Sequence, residues 1–304
     1  MLNKTSYPHP LPTERVSPRT LDIDAWPTLD VLDAILEGQM AAVAAVRAAM
    51  PAIMAAVDDA ALRIGTRGRL VYVGAGTSGR IAVQDGAELP PTFNWPRNRL
   101  VFAMAGGNEA LTRSVEGAED NVADGERQIR DARVGVGDIV LALAASGTTP
   151  FTIAALAKAR ALGATTIGIA NNPGTPLLAA AEHAVLIATG AEVIAGSTRM
   201  KAGTAQKIVL NMISSALMIK LGRVYRGRMV DMAARNAKLD KRALLMVIDL
   251  AGCAEIRAQS ALTESGGDLK LAVLVASGRT LIVAQDLLAE HNGNLRLAMN
   301  VPGH

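Results

Sequence analysis

RLVYVGAGTSGRIAVQDGAELPPTF, residues 69–93, sets an apolar strand against a glycine turn, two hydroxyls, a helix start and one glutamate. Leu70 to Val73 is short, apolar and β-branched. Gly74, Gly76 and Gly79 let the backbone turn sharply and leave its amides open at a helix N-terminus, where the helix dipole favours negative charge. Thr77 and Ser78 add hydroxyl donors, so the turn predicts an anion, a phosphate above all. The same residues spell G-x-G-x-x-G. In a dinucleotide fold, however, an acidic residue about 20 positions on ends the second strand and holds a ribose. Here the next apolar run, Leu100 to Ala105, leads into Gly106, Gly107 and Asn108, and Glu109 arrives only as a helix begins. A tight turn that serves packing alone is the other reading of this motif by itself.

Outward from this stretch, strand-like and helix-like runs alternate, the pattern of a parallel sheet covered on both faces. The predicted strands are 70–73, 100–105, 139–144, 165–169 and 183–187. The predicted helices are 80–88, 109–130, 150–162, 176–181 and 204–221. Ligands of such sheets sit at the carboxyl ends of the strands. The loops there share a chemistry: Gly-Thr-Ser-Gly at 76–79, Ser-Gly-Thr-Thr at 146–149, Asn-Asn-Pro-Gly-Thr at 171–175 and Gly-Ser-Thr-Arg-Met-Lys at 196–201. One such loop is an ordinary helix cap. Several at one sheet edge predict a cradle of neutral donors, with Thr77, Ser78, Ser146, Thr148 and Thr149 as the phosphate ligands. Lys201 and Lys238 are the cations that could add charge to it.

Composition narrows the class. The chain has 304 residues, half of them hydrophobic and only 3% aromatic, so an Ala, Val, Leu and Ile core is expected. One cysteine, Cys253, excludes an internal disulfide, and four scattered histidines predict no metal site. The formal charge is +3, from 31 basic and 28 acidic residues without a basic, aromatic-interleaved stripe, which disfavours nucleic acid as a partner. Residues 1–26 carry charges and prolines but no apolar leader, which predicts a cytoplasmic protein. Met40 to Val57 is Ala-rich and about long enough to span a bilayer. Arg47 and Pro51 interrupt it, and a buried helix pair is expected instead of a membrane contact.

The Gly-Thr-Ser and Ser-Gly-x-Thr loops resemble those of sugar isomerase (SIS) domains, which bind phosphosugars. The longer strings GAGTSGR, AELPPTF, VEGAEDN, ASGTTPF, GAEVIAGSTRMKAGTAQK and NAKLDKR are similar to those of one SIS family, the N-acetylmuramic acid 6-phosphate etherases, from about Thr13 onward. The resemblance implies a SIS-type three-layer α-β-α sandwich with a mostly parallel sheet, preceded by N-terminal helices and followed by a small C-terminal helical domain. It implies a homodimer with sites near the subunit boundary, and no cofactor or metal. It also implies a reaction: release of D-lactate from C3 of the sugar by elimination, then hydration. With the ring open, C2 lies α to an aldehyde, so one base and one acid suffice. By motif position Glu88 in AELPP matches the family's proton donor to departing lactate, and Glu119 in EGAED its second acid/base residue, assigned here to proton abstraction at C2. An acid near neutral pH needs a raised pKa. Ala87, Leu89, Pro90 and Pro91 predict an apolar setting for Glu88. Glu109, Glu116, Glu119 and Glu126 are all expected on the 109–130 helix, the other three on a solvated face.

Familiar members flank the catalytic glutamate with serine and cysteine, where this chain has Ala87 and Leu89, and carry a glutamate at Ala237. Neither change removes an acid or base. Ala261 to Ala272 recurs as Leu287 to Ala298, each copy a helix, a Gly stop and a second helix. The expected division is 1–56, an N-terminal segment and helix; 57–222, the phosphosugar domain; and 223–304, the helical domain. Two rivals share the loops. One is a non-catalytic phosphosugar sensor like the glucokinase regulatory protein, which has two SIS domains; the other is a phosphosugar isomerase. Both glutamates, with EGAED and STRMKAGTAQK, favour the etherases.

Overall fold

The computed structural model describes residues 10–232 and 237–301, so Asn236 of the NAKLDKR string lies outside it. Two compact units emerge, one of residues 1–87 and 98–213, the other of 88–97 and 214–304.

The first unit opens with a 3-10 turn, Pro12–Glu14, and two helices, α1 (Thr28–Ala48) and α2 (Met50–Arg63). Then β1 (Leu70–Gly74), α3 (Gly76–Phe93), β2 (Leu100–Met104), α4 (Val122–Asp131), β3 (Ile139–Leu143), α5 (Pro150–Ala161), β4 (Thr165–Ala170), α6 (Pro176–Ala180), β5 (His183–Leu186) and α7 (Lys201–Lys220) follow in alternation. The five strands are parallel, in the order β2-β1-β3-β4-β5. The chain therefore steps one way from β1 and returns to the other side for β3, opening a crevice at the carboxyl ends of that pair. β1, β3 and β4 are buried along their whole length, which is why they read as unbroken apolar runs. Val71, Val73, Val140, Ala142, Phe151 and Leu156 build one side of the core. All five predicted strands are present within a residue or so of their ends.

Two expectations fail locally. The predicted 109–130 helix is broken: a 3-10 turn at Gly107–Leu111 and another at Ala118–Asp120 precede α4. Gly117 sits at φ +70°, outside helical space, and Asn121 restarts the helix by accepting from the Asp124 amide. Only Glu126 of the four glutamates is thus on a regular helix. The α1–α2 pair exists but is only partly buried: Ala42 and Val46 face inward while Leu29, Leu32, Leu36, Met40 and Val43 are exposed. No single helix is long and apolar enough to cross a membrane, and α1 and α2 are bent by 58°.

The second unit takes in the end of α3, from Glu88, which continues through Pro90 and Pro91, although neither can donate to the helix ladder. Buried Leu89 and Phe93 hold that turn by packing. The strands β6 (Val224–Tyr225) and β7 (Arg228–Met229) form a short hairpin, followed by α8 (Ala237–Ala251), α9 (Glu255–Glu264), α10 (Leu269–Ala276), α11 (Leu281–Glu290) and α12 (Leu295–Asn300). The internal repeat is visible as α9–α10 and α11–α12, with Gly267 and Gly293 at positive φ between the helices of each pair. Met246, Val247, Leu250, Ala261, Val273 and Leu295 fill the core of this unit. Buried Lys270 is satisfied by Asp231 at 2.7 Å and by the Gly293 carbonyl at 2.7 Å.

Candidate active site

The crevice at β1 and β3 is a cavity of about 470 Å³. Its walls bring together Thr77 and Ser78 after β1 with Ser146, Thr148 and Thr149 after β3, and Glu119 joins them. The open amides at the start of α3 and the start of α5 flank it, the latter with no side-chain cap from Thr149. Each loop is built for this. Gly147 adopts φ +72°, and a Cβ there would lie 2.2 Å from the Thr175 hydroxyl oxygen. Gly74 and Gly79 touch backbone to backbone, since a Cβ on Gly74 would meet the Gly79 Cα at 2.8 Å.

The hydroxyls differ in what they have left to give. Ser78 is buried and donates to Gln206 Oε1 at 2.8 Å, Gln206 in turn donating to Asn171 Oδ1 at 3.1 Å. A hydroxyl has one proton, so in this rotamer Ser78 offers an oxyanion its backbone amide. Ser146 Oγ accepts from the Thr148 amide at 3.1 Å and lies 3.5 Å from the Thr149 hydroxyl. No lysine or arginine lines the cavity among the described residues; its charged members are Glu14, Glu119 and Asp120. Two helix ends and neutral donors are therefore what the cavity offers to an anion.

Glu119 lines a second cavity as well, of about 420 Å³, walled by Arg80, Arg113 and Glu116. Arg80, the last residue of GAGTSGR, donates from Nε to the Ala110 and Leu111 carbonyls at 2.9 and 3.1 Å and from its NH2 to Arg113 at 3.1 Å. It fastens the irregular segment that leads to Glu119. Glu119 itself is exposed.

The remaining candidates are not among the residues that line this cavity. Glu88 is exposed on α3, within the second unit. The apolar setting expected of its neighbours is not formed by them: Ala87 is exposed and Leu89 turns into the core. Lys238 is exposed near the start of α8, in the second unit. Lys201 lines a separate cavity of about 360 Å³ beside α1. Its Nζ donates to the Ala191 carbonyl at 2.5 Å, and burial lowers its pKa while Glu192 opposes the shift. Buried Glu192 caps α7, accepting from the Lys201 and Ala202 amides at 3.1 and 2.8 Å.

Three features escaped the sequence reading. Glu14 also lines the cradle, without any local signal in its sequence, and so does Thr198, whose 196–201 loop the sequence marked but not the residue. At the opposite, amino edge of the sheet, Asp59, Glu182 and His183 come close enough to share a cation geometrically. Arg63 already bridges the two carboxylates, at 2.7 Å to Asp59 and 2.9 Å to Glu182.

Residues 52–160 match the glucokinase regulatory protein N-terminal SIS domain, and residues 120–216 match the SIS domain. Over most of its length the chain is similar to three proteins named N-acetylmuramic acid 6-phosphate etherase. The one from Deinococcus radiodurans is 50% identical over 88% of this chain and 87% of its own. The Cronobacter sakazakii protein is 46% identical, covering 87% and 89%, and that from Symbiobacterium thermophilum 48% identical, covering 87% and 88%.

Proposed function

The chain belongs to the N-acetylmuramic acid 6-phosphate etherase family, and we propose that it cleaves the D-lactyl ether of N-acetylmuramic acid 6-phosphate. The observation that carries this reading is the convergence of two hydroxyl loops, two helix N-termini and Glu119 on one cavity. The phosphate sits among the amides and hydroxyls of Thr77, Ser78, Ser146, Thr148 and Thr149. Glu119, which borders the cavity, takes the C2 proton of the open-chain sugar. The C2–H and C3–O bonds break, a C2–C3 double bond forms, and Glu88 gives the departing lactate oxygen its proton. Water then adds its oxygen to C3 and a proton returns to C2, leaving N-acetylglucosamine 6-phosphate and D-lactate. The balance needs no redox partner, only proton transfer.

The exposure of Glu88 in the single chain fits a site completed by a second copy, and the protein acts as a homodimer in the cytoplasm. The uncovered apolar row Leu29, Leu32, Leu36, Met40 and Val43 on α1 supports the dimer. Neither Lys201 nor Lys238 is among the residues that line the phosphate cradle.

Incubation with N-acetylmuramic acid 6-phosphate, followed by D-lactate detection, tests the proposal. Wild type releases lactate, and Glu88→Ala loses at least about a hundredfold in turnover, the usual worth of a positioned acid. A wild type that binds the sugar phosphate yet releases nothing would instead be a sensor.

A further inference from the structure

Glu14 is held against the phosphate cradle by an arrangement that reaches far along the chain. Thr13, fully buried, donates its amide to Asn172 Oδ1 at 3.2 Å, and its hydroxyl accepts from Asn172 Nδ2 at 2.9 Å. Its carbonyl accepts from the Gly196 amide at 3.0 Å. Asn172 is buried too, and also donates to the Ala145 carbonyl at 3.0 Å, in the loop after β3. On the other side, the Glu14 amide closes the 3-10 turn onto Leu11 at 2.8 Å. The carboxylate rests over Gly196, where a Cβ would stand 2.7 Å from its Oε2. Four segments of the unit thus fix the backbone at Thr13 and Glu14, from which the exposed Glu14 side chain borders the cavity.

A carboxylate there is opposed to the ligand's phosphate. It accepts hydrogen bonds and donates none, and like charges in one cavity repel. Glu14 forms no ion pair among the described residues that would cancel its charge. What it can meet favourably is the neutral, donor-bearing part of a phosphosugar: a hydroxyl or the acetamido N–H. Hydrogen bonds to a charged acceptor are the stronger ones. We infer that Glu14 is a specificity-determining residue, which accepts a hydrogen bond from the sugar and disfavours phosphate that comes without one. The inference rests on the cavity being a phosphosugar site, and goes beyond that reading by assigning the sugar-selecting contact.

Calorimetry on the full chain tests it with two probes, N-acetylglucosamine 6-phosphate and inorganic phosphate, on wild type and the isosteric Glu14→Gln. Loss of the charged acceptor weakens the sugar phosphate about tenfold, the scale of one charge-assisted hydrogen bond. Inorganic phosphate binds Glu14→Gln as tightly as wild type or more tightly, because a repelling charge is gone. These opposite responses cannot come from a loosened cradle, which would weaken both ligands together. Parallel weakening, or an unchanged sugar phosphate affinity, overturns the assignment. Failure of both probes to bind wild type removes the phosphosugar reading and the inference with it. Lactate release by wild type reports separately on the etherase activity.

Discussion

Gly147 shows how far a single residue can constrain the cradle. Its φ of +72° is left-handed, and the Cβ of any other residue would stand 2.2 Å from one Thr175 atom and 2.5 Å from another. The backbone has little room to retreat, since the Gly147 amide donates to Ala144 and its carbonyl accepts from Leu177, at 3.0 and 3.1 Å. Gly147→Ala is therefore expected to cost roughly 2–3 kcal/mol, overpacking added to backbone strain. Urea denaturation reads the loss, and an unchanged midpoint would show that Thr175 gives way. The glycine itself was legible in the sequence as part of a turn. Its clash with Thr175 was not, because that contact joins loops after different strands. Ser78 teaches the same limit: its place in the cradle follows from Gly-Thr-Ser-Gly, whereas the gift of its proton to Gln206 depends on α7, 128 residues away.

Among the elements, the strands read most truly because β1, β3 and β4 are covered on both faces and so need apolar residues at every position. The stretch between β2 and α4 read least truly. Its glutamates have helical spacing, but Gly106 and Gly117 at positive φ break it, and Arg80 supplies from α3 the bonds that a helix would have made internally. At the amino edge of the sheet α2 is tied to β5 by a different set of charges. Asp59 accepts from His183 at 2.7 Å and from Arg63 at 2.7 Å. Burial pushes the Asp59 pKa up, but these two partners outweigh it and hold the carboxyl below its ordinary value of 3.8. A carboxyl depressed on folding stabilises the native state above its unfolded pKa, and that contribution is lost as pH falls through the folded one. Asp59→Asn is expected to lower stability at neutral pH by roughly 1 kcal/mol, or about 2–4 °C in melting temperature. The gap between variant and wild type begins to narrow as pH falls to the ordinary carboxyl value of 3.8 and closes once pH has dropped through the lower pKa of the folded state. Melting curves at several pH values check this, and a gap independent of pH would show that the link is packing alone.

At the scale of the whole molecule, the first unit leaves an apolar row uncovered that its own core does not use. Leu29, Leu32, Leu36, Met40 and Val43 are each more than half exposed, at steps of three and four residues that place them along one side of α1. The alanine-rich sequence of 40–57 predicted burial, and alanines do face the core at 42, 49, 56 and 60. Val46, Ile53 and Val57 turn inward with them, whereas Met40 and Val43 take the exposed side, a distinction that composition averages away. A continuous apolar face on a folded unit marks an association surface more often than an accident. A second copy of the chain is the occupant that the proposed site also calls for, since Glu88 is exposed and lacks the apolar surroundings an acid requires. Leu36→Glu places a charge in the middle of that row, where pairing two copies would bury it against its own image, at a cost of several kcal/mol. Light scattering on the variant should then report a monomer where wild type reports a dimer. Because residue 36 lies outside the cradle, the same monomer should still bind inorganic phosphate while lactate release falls with dissociation. A dimer that survives Leu36→Glu would move the subunit contact off α1, and full activity in a monomer would show that one chain supplies every group the elimination needs.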